Sequence, residues 1–207
     1  MLDHLPALQV VLPLLCAPVI VLVRRQHFAW LLATAVSWAA LAIAIALALR
    51  VAESGAITYA LGSWPPPWGI EYRVDALSAF VLVLVALTGA VVMPYARVSI
   101  AAELPREQEY LFYAMYCLCL TGLLGIVITG DVFNLFVFLE ISSLSMYVLI
   151  ALGRHRKALF AAYQYLVMGT IGATFYVIGI GLLYLMTGTL NLADLAERLP
   201  ALTDIRP

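Results

Sequence analysis

GDVFNLFVFLEISSLSMYVLIALG, residues 130–153, decides how the chain is read. From Val132 to Leu152 nearly every residue is apolar, aromatic or a small hydroxyl, and the run is long enough to cross a hydrocarbon core as a helix, which takes about 20 residues. Glu140 is the exception. It stands eight residues into the run, roughly 12 Å from its start at 1.5 Å per residue, close to mid-membrane. A central acidic residue costs about 2.5–3.5 kcal/mol on insertion scales. It persists where it faces protein or water and has a partner or a proton.

The rest of the chain agrees with a membrane setting. Of 207 residues, 65% are hydrophobic and 11% charged. The mean hydropathy of +1.03 lies outside the soluble globular range. Net charge is −1 and no basic patch interleaved with aromatics occurs, so no nucleic-acid partner is expected. Cys16, Cys117 and Cys119 all fall in apolar runs and read as small buried hydrophobes. There is no G-x-G-x-x-G, P-loop or nucleophile elbow, and no cofactor or metal site is expected. The opening MLDHLPALQV has no basic n-region, so the first apolar run reads as a retained span.

Six runs qualify as spans: 5–23, 28–49, 76–96, 110–129, 132–152 and about 158–186. The expected fold is an all-α polytopic membrane protein with six transmembrane helices. Pro13, Pro18 and Pro94 lie inside runs and predict local bends. RRQH (24–27), the 97–109 loop and RHRK (154–157) fall on one side if all six runs span, and hold seven of the eleven Lys and Arg. The positive-inside rule makes that side cytoplasmic and both termini extracytoplasmic.

The loop between the second and third spans is more than a connector. In AITYALGSWPPPWGIEYRVD, Ile70, Tyr72 and Val74 alternate with Glu71, Arg73 and Asp75, a period-2 pattern with one apolar face. A short extracytoplasmic β-hairpin is expected, with Trp64 and Trp68 near the headgroups. In the tail, Leu190, Leu192, Leu195, Ala196 and Leu199 predict a short amphipathic surface helix. The organisation is thus helices 1–2 (1–51), the hairpin loop (52–75), helices 3–6 (76–186) and the tail (187–207).

Ser143 and Tyr147 follow Glu140 at three and seven positions and continue a narrow polar stripe. Desolvation favours a protonated carboxyl and a nearby cation favours a carboxylate; a group poised between them can load and release a proton. The alternative is a structural glutamate that pins two helices together. On the sixth run, Gln164 is the expected polar neighbour of the path, and Gly169 with Ala173 forms a small-xxx-small pair that permits close packing.

GDVFNLFVFLEISSLSMYVLIAL, AAYQYLVMGTIGATFYVIGIGLLYLMTGTLNLADL and WPPPWGIEYRVDALSAF together resemble the antiporter-like membrane subunits, over most of the chain from Trp64 to Leu195. That family contains Mrp-type cation/proton antiporter subunits and the proton-pumping membrane subunits of respiratory complex I and related hydrogenases. The GD-x-FN form looks closer to the D-type Mrp subunit. The resemblance implies the N-terminal part of a 14-helix fold, with inverted repeats beginning near the fourth span. It implies a proton path through Glu140, working with lysines on later spans; Gln164 stands where relatives often carry lysine. It further implies H+ with Na+ or K+ as transported ions, other membrane subunits as partners, and a bacterial inner membrane as location. A transporter subunit is expected rather than an enzyme, unless the assembly is an NADH:quinone oxidoreductase. The other reading is a structural or assembly subunit that does not conduct.

Overall fold

The computed structural model describes residues 4–202. Six long helices are present: α1 Leu5–Val23, α2 Gln26–Ser54, α3 Ala76–Glu103, α4 Glu109–Ile128, α5 Val132–Ala151 and α6 Arg156–Thr187. Strands β1 Ile57–Ala60 and β2 Glu71–Val74 lie between α2 and α3, and a short helix α7, Leu192–Arg198, follows α6. All six long helices are long and apolar enough to cross a membrane.

Local chemistry sets several boundaries. The Asp75 side chain accepts from Ser78 N at 2.8 Å and opens α3. Asp131 does the same for α5 through Asn134 N at 2.7 Å. Such caps satisfy backbone donors that a helix start leaves orphaned. At the end of α6, Gly188 takes the left-handed φ of 69°, where a side chain would be strained. The predicted loop 97–109 is shorter than expected: α3 continues to Glu103 and stops two residues before Pro105, because nothing in RVSIAAE breaks a helix and the proline does. The expected bends do not interrupt the helices; α1 runs through Pro13 and Pro18, and α3 through Pro94.

Loop contacts sort the ends of the bundle. The Gln26 amide donates to Arg106 O, and Arg97 contacts His27 at 3.1 Å and lies over the Trp30 ring at 4.7 Å. At the opposite end His4 Nδ1 meets the Tyr59 hydroxyl at 3.0 Å, Gly130 N donates to Glu71 O at 2.9 Å, and Val132 N donates to Leu190 O at 2.9 Å. The hairpin, the α4–α5 turn and residues 188–192 therefore share one end, as six alternating crossings require. That end is called the hairpin end below.

The strands pair antiparallel with Ile57 opposite Val74 and Ala60 opposite Glu71. Tyr72 and Val74 are buried, as the alternation predicts, and Trp64 and Trp68 are exposed. Two expectations fail. Ile70 is 39% exposed, and Glu71 is buried although it belongs to the polar set. The α4–α5 turn and residues 188–191 close over Glu71 and supply it with hydrogen bonds, which no local pattern can register. The tail differs from a simple surface helix for the same reason. Residues 189–191 are inserted against the α4–α5 turn, and Leu195 is buried with Val132 and Ile180. The last five residues of the predicted tail, 203–207, lie outside the described residues.

The core divides along the bundle. Leu47, Val74, Leu82, Leu124 and Ile128 pack toward the hairpin end, while Ile20, Ala29, Met93, Tyr113 and Cys117 pack toward the other. All three cysteines are buried, and the Sγ atoms of Cys16 and Cys117 lie 3.5 Å apart. Small residues bring the helices close. A Cβ on Gly122 would stand 2.6 Å from Ser142 N and 2.7 Å from Phe138 O, so α4 and α5 touch backbone to backbone there.

Candidate functional site: the α5–α6 interface around Glu140

Glu140 faces α6. It lines a cavity of about 220 Å³ with Phe136, Leu139 and Ser143 from its own helix and Gly169, Gly172, Ala173 and Tyr176 from α6. A second cavity of about 390 Å³ adjoins it, where Thr170, Thr174 and Val177 join Phe136 and Glu140. The space exists because α6 presents small residues there. A Cβ on Gly172 would meet nothing within 4 Å. The Thr170 and Thr174 hydroxyls donate to their own helix, to Leu166 O and Thr170 O, both at 2.8 Å. They offer acceptor oxygens and no cation. Glu140 forms no ion pair among the described residues. Glu140 itself is only partly buried, unlike Glu71 and Glu109.

Of the other predicted site residues, Ser143 lines the Glu140 cavity. Tyr147 is buried beside Ser143 and within electrostatic reach of Glu140. Its hydroxyl occupies the place a Gly169 Cβ would take, and its ring meets Tyr165 edge-on at 5.2 Å. Gly169 is thus glycine so that the phenol can seat against α6. Gln164 is not brought to this cluster. It is exposed on α6, five residues before Gly169, and lines neither cavity.

A second polar cluster lies at the hairpin end. The Asn191 amide donates to Glu71 Oε1 at 2.8 Å, while its Oδ1 accepts from Ala193 N and Asp194 N and opens α7. Thr129 Oγ1 accepts from the Asn134 side chain at 2.9 Å. Asp131 is buried among these groups, and desolvation pushes its carboxyl up, against the N–H groups of Asn134 and Phe133 that pull it down. Asn191 carries a sequence signal for a helix start, Asn-Leu-Ala-Asp. The burial of Glu71 carries none. Gln9, a polar residue inside the first apolar run, is fully buried in α1 with both amide atoms unpartnered among the described residues.

A carboxylate facing a cavity between helices, within six apolar spans, defines a membrane protein with a polar interior site. Residues 129–204 match the NADH:quinone oxidoreductase/Mrp antiporter transmembrane family. The chain is 46% identical to NADH-quinone oxidoreductase subunit N of Desulforudis audaxviator, over 99% of this chain and 41% of that protein. It is 31% identical to the D subunit of the Na(+)/H(+) antiporter of Alkalihalophilus pseudofirmus, over 95% and 40%. A chain in the structure of the Mrp complex from Dietzia sp. superposes with a TM-score of 0.82 at 27% identity, covering 93% of this chain and 36% of that one. Over the part that aligns, the chain is homologous to the antiporter-like membrane subunits of Mrp antiporters and NADH:quinone oxidoreductases. It spans about 40% of the length of the curated relatives it matches.

Proposed function

We propose that this chain is part of a proton-translocating antiporter-type membrane subunit in which Glu140 takes up and releases the proton. The observation that carries the reading is the position of Glu140: a carboxylate in an apolar span, facing a cavity between two helices, with no ion-pair partner among the described residues. A structural glutamate that pins α5 to α6 would be hydrogen-bonded across the interface; the Ser142, Ser145, Thr170 and Thr174 hydroxyls bond within their own helices instead. A carboxyl in a cavity large enough for several water molecules can exchange its proton through them. Ser143 and Tyr147 extend the polar lining from Glu140 toward the basic-loop end. The proton is exchanged for Na+ or K+, the subunit works with other membrane subunits, and the basic segments 24–27, 97–109 and 154–157 face the cytoplasm of a bacterial cell.

The test is transport by vesicles from cells carrying the full-length protein. Glu140→Gln removes the titrating group at nearly constant size and is expected to lower proton-coupled transport at least a hundredfold, while Glu140→Asp retains a measurable part. Unchanged transport by well-expressed Glu140→Gln protein leaves the non-conducting structural subunit as the reading.

A further inference from the structure

We propose that Asp131 and Tyr176 form a proton relay joining Glu140 to the aqueous phase at the hairpin end; this rests on the reading of Glu140 as the proton-exchanging group. Three observations set these groups in order. Asp131 lines a cavity of about 410 Å³ at the hairpin end, with Trp68, Phe133, Tyr184 and Arg198 among its walls. The Tyr176 hydroxyl lies 3.5 Å from the carbonyl oxygen of Val132, the residue that follows Asp131. Tyr176 also lines the cavity that holds Glu140. The phenol is therefore the group shared between the Asp131 side and the Glu140 side, across nine residues of α5, or roughly 13 Å along its axis.

The residues suit a relay. Asp131 is 9% exposed, and one carboxylate oxygen is committed to Asn134 N. Arg198, the cation lining the same cavity, is engaged by Asp194 and by Thr187 O at 2.9 Å. The Tyr176 ring is held by stacking on Phe136, with centroids 6.2 Å apart and planes at 16°. Among the described residues its hydroxyl has only a long contact, 3.5 Å, to Val132 O, so it is free to turn. In the inward step Asp131 gives its proton to the phenol oxygen. The phenol releases its own hydrogen to cavity water, and Glu140 takes up a proton from that water. The Asp131 carboxylate is then reprotonated from the cavity at the hairpin end. The phenol ends neutral, and one proton has moved without any change in covalent bonding elsewhere.

The test compares vesicles carrying the full-length protein as wild type, Glu140→Gln, Asp131→Asn, Asp131→Glu, Asp131→Ala and Tyr176→Phe, with transport normalised to folded protein. Asn caps a helix as well as Asp does, so Asp131→Asn removes the titrating group and keeps the helix start. Tyr176→Phe keeps the stack and removes the hydroxyl. The expected result is a loss of at least tenfold in both Asp131→Asn and Tyr176→Phe, partial recovery in Asp131→Glu, and no transport in Glu140→Gln. Inactive Glu140→Gln with Asp131→Asn and Tyr176→Phe within twofold of wild type overturns the relay and leaves the Glu140 reading intact. A loss confined to Asp131→Ala makes Asp131 a helix cap and likewise overturns the relay. Wild-type transport by Glu140→Gln overturns the reading itself, and the relay with it.

Discussion

Helices α4 and α6 have nearly the same mean hydropathy over their apolar stretches, 2.2 and 2.0, yet 56% of that stretch is buried in α4 and 6% in α6. Hydropathy measures compatibility with lipid. It does not say whether an apolar face meets lipid or protein, because both are apolar. The difference lies in shape. α4 carries Gly122 and Gly125, each against α5, and touches α1, α2, α3 and α5. α6 packs chiefly on α5, and leaves Gly172, Gly179 and Gly181 with open space. Glu140 stands at the boundary between the two regimes, facing a helix with one main neighbour rather than several. That is where cavities form.

The sharpest way to break this contrast is to add one methyl on each side of it. Gly122→Ala forces a Cβ onto the backbone of α5 and is expected to destabilise the protein by about 3 kcal/mol, the upper part of the range for overpacking. Gly179→Ala adds the same methyl into open space and, by helix propensity, is expected to be neutral or to stabilise by up to about 1 kcal/mol. Thermal unfolding of both variants in detergent measures the pair; equal effects would dissolve the distinction between a packed and an open helix.

A smaller effect is expected where the two regions are tied together. Asn191→Ala loses the cap of α7 and the bond to Glu71, together about 1–2 kcal/mol. The loss is expected at the hairpin end only, read as faster hydrogen exchange at Ala193 and Asp194 while α4 amides are unchanged. Faster exchange throughout α4 would mean that the cluster supports the whole bundle.

The smallest effect is expected at Asp75, which opens α3 on the packed side. The N–H of Ser78 holds its carboxyl below the ordinary value of 3.8. A carboxyl lowered in the folded state stabilises above its unfolded value, and the contribution is lost as pH falls through the folded one. Asp75→Ala is therefore expected to cost about 1 kcal/mol at pH 7 and less below pH 3.8, and Asp75→Asn to remove most of that pH dependence while keeping the cap. Unfolding midpoints across that interval give the answer. A cost that does not shrink in acid would assign the loss to something other than the charged cap.

Six spans, their alternation, the strand alternation at Tyr72 and Val74 and the isolation of Glu140 in its run were all legible in the chain, because each is a local pattern repeated over one element. Hydrophobic length and the period of two need no partner to be read. The lining of the Glu140 cavity was half legible: Ser143 shares its helix, whereas the contribution of Tyr176 depends on how α6 rotates against α5. Gln164 shows the limit from the other side, polar and on the right helix, yet carried away from the cavity by that rotation. The burial of Glu71 and the insertion of residues 189–191 beside Asp131 were decided by tertiary structure alone. They join distant segments, Glu71 and Asn191 lying 120 residues apart, and a hydrogen bond such as that from Asn191 to Glu71 has no trace in either segment until the backbone brings the two together.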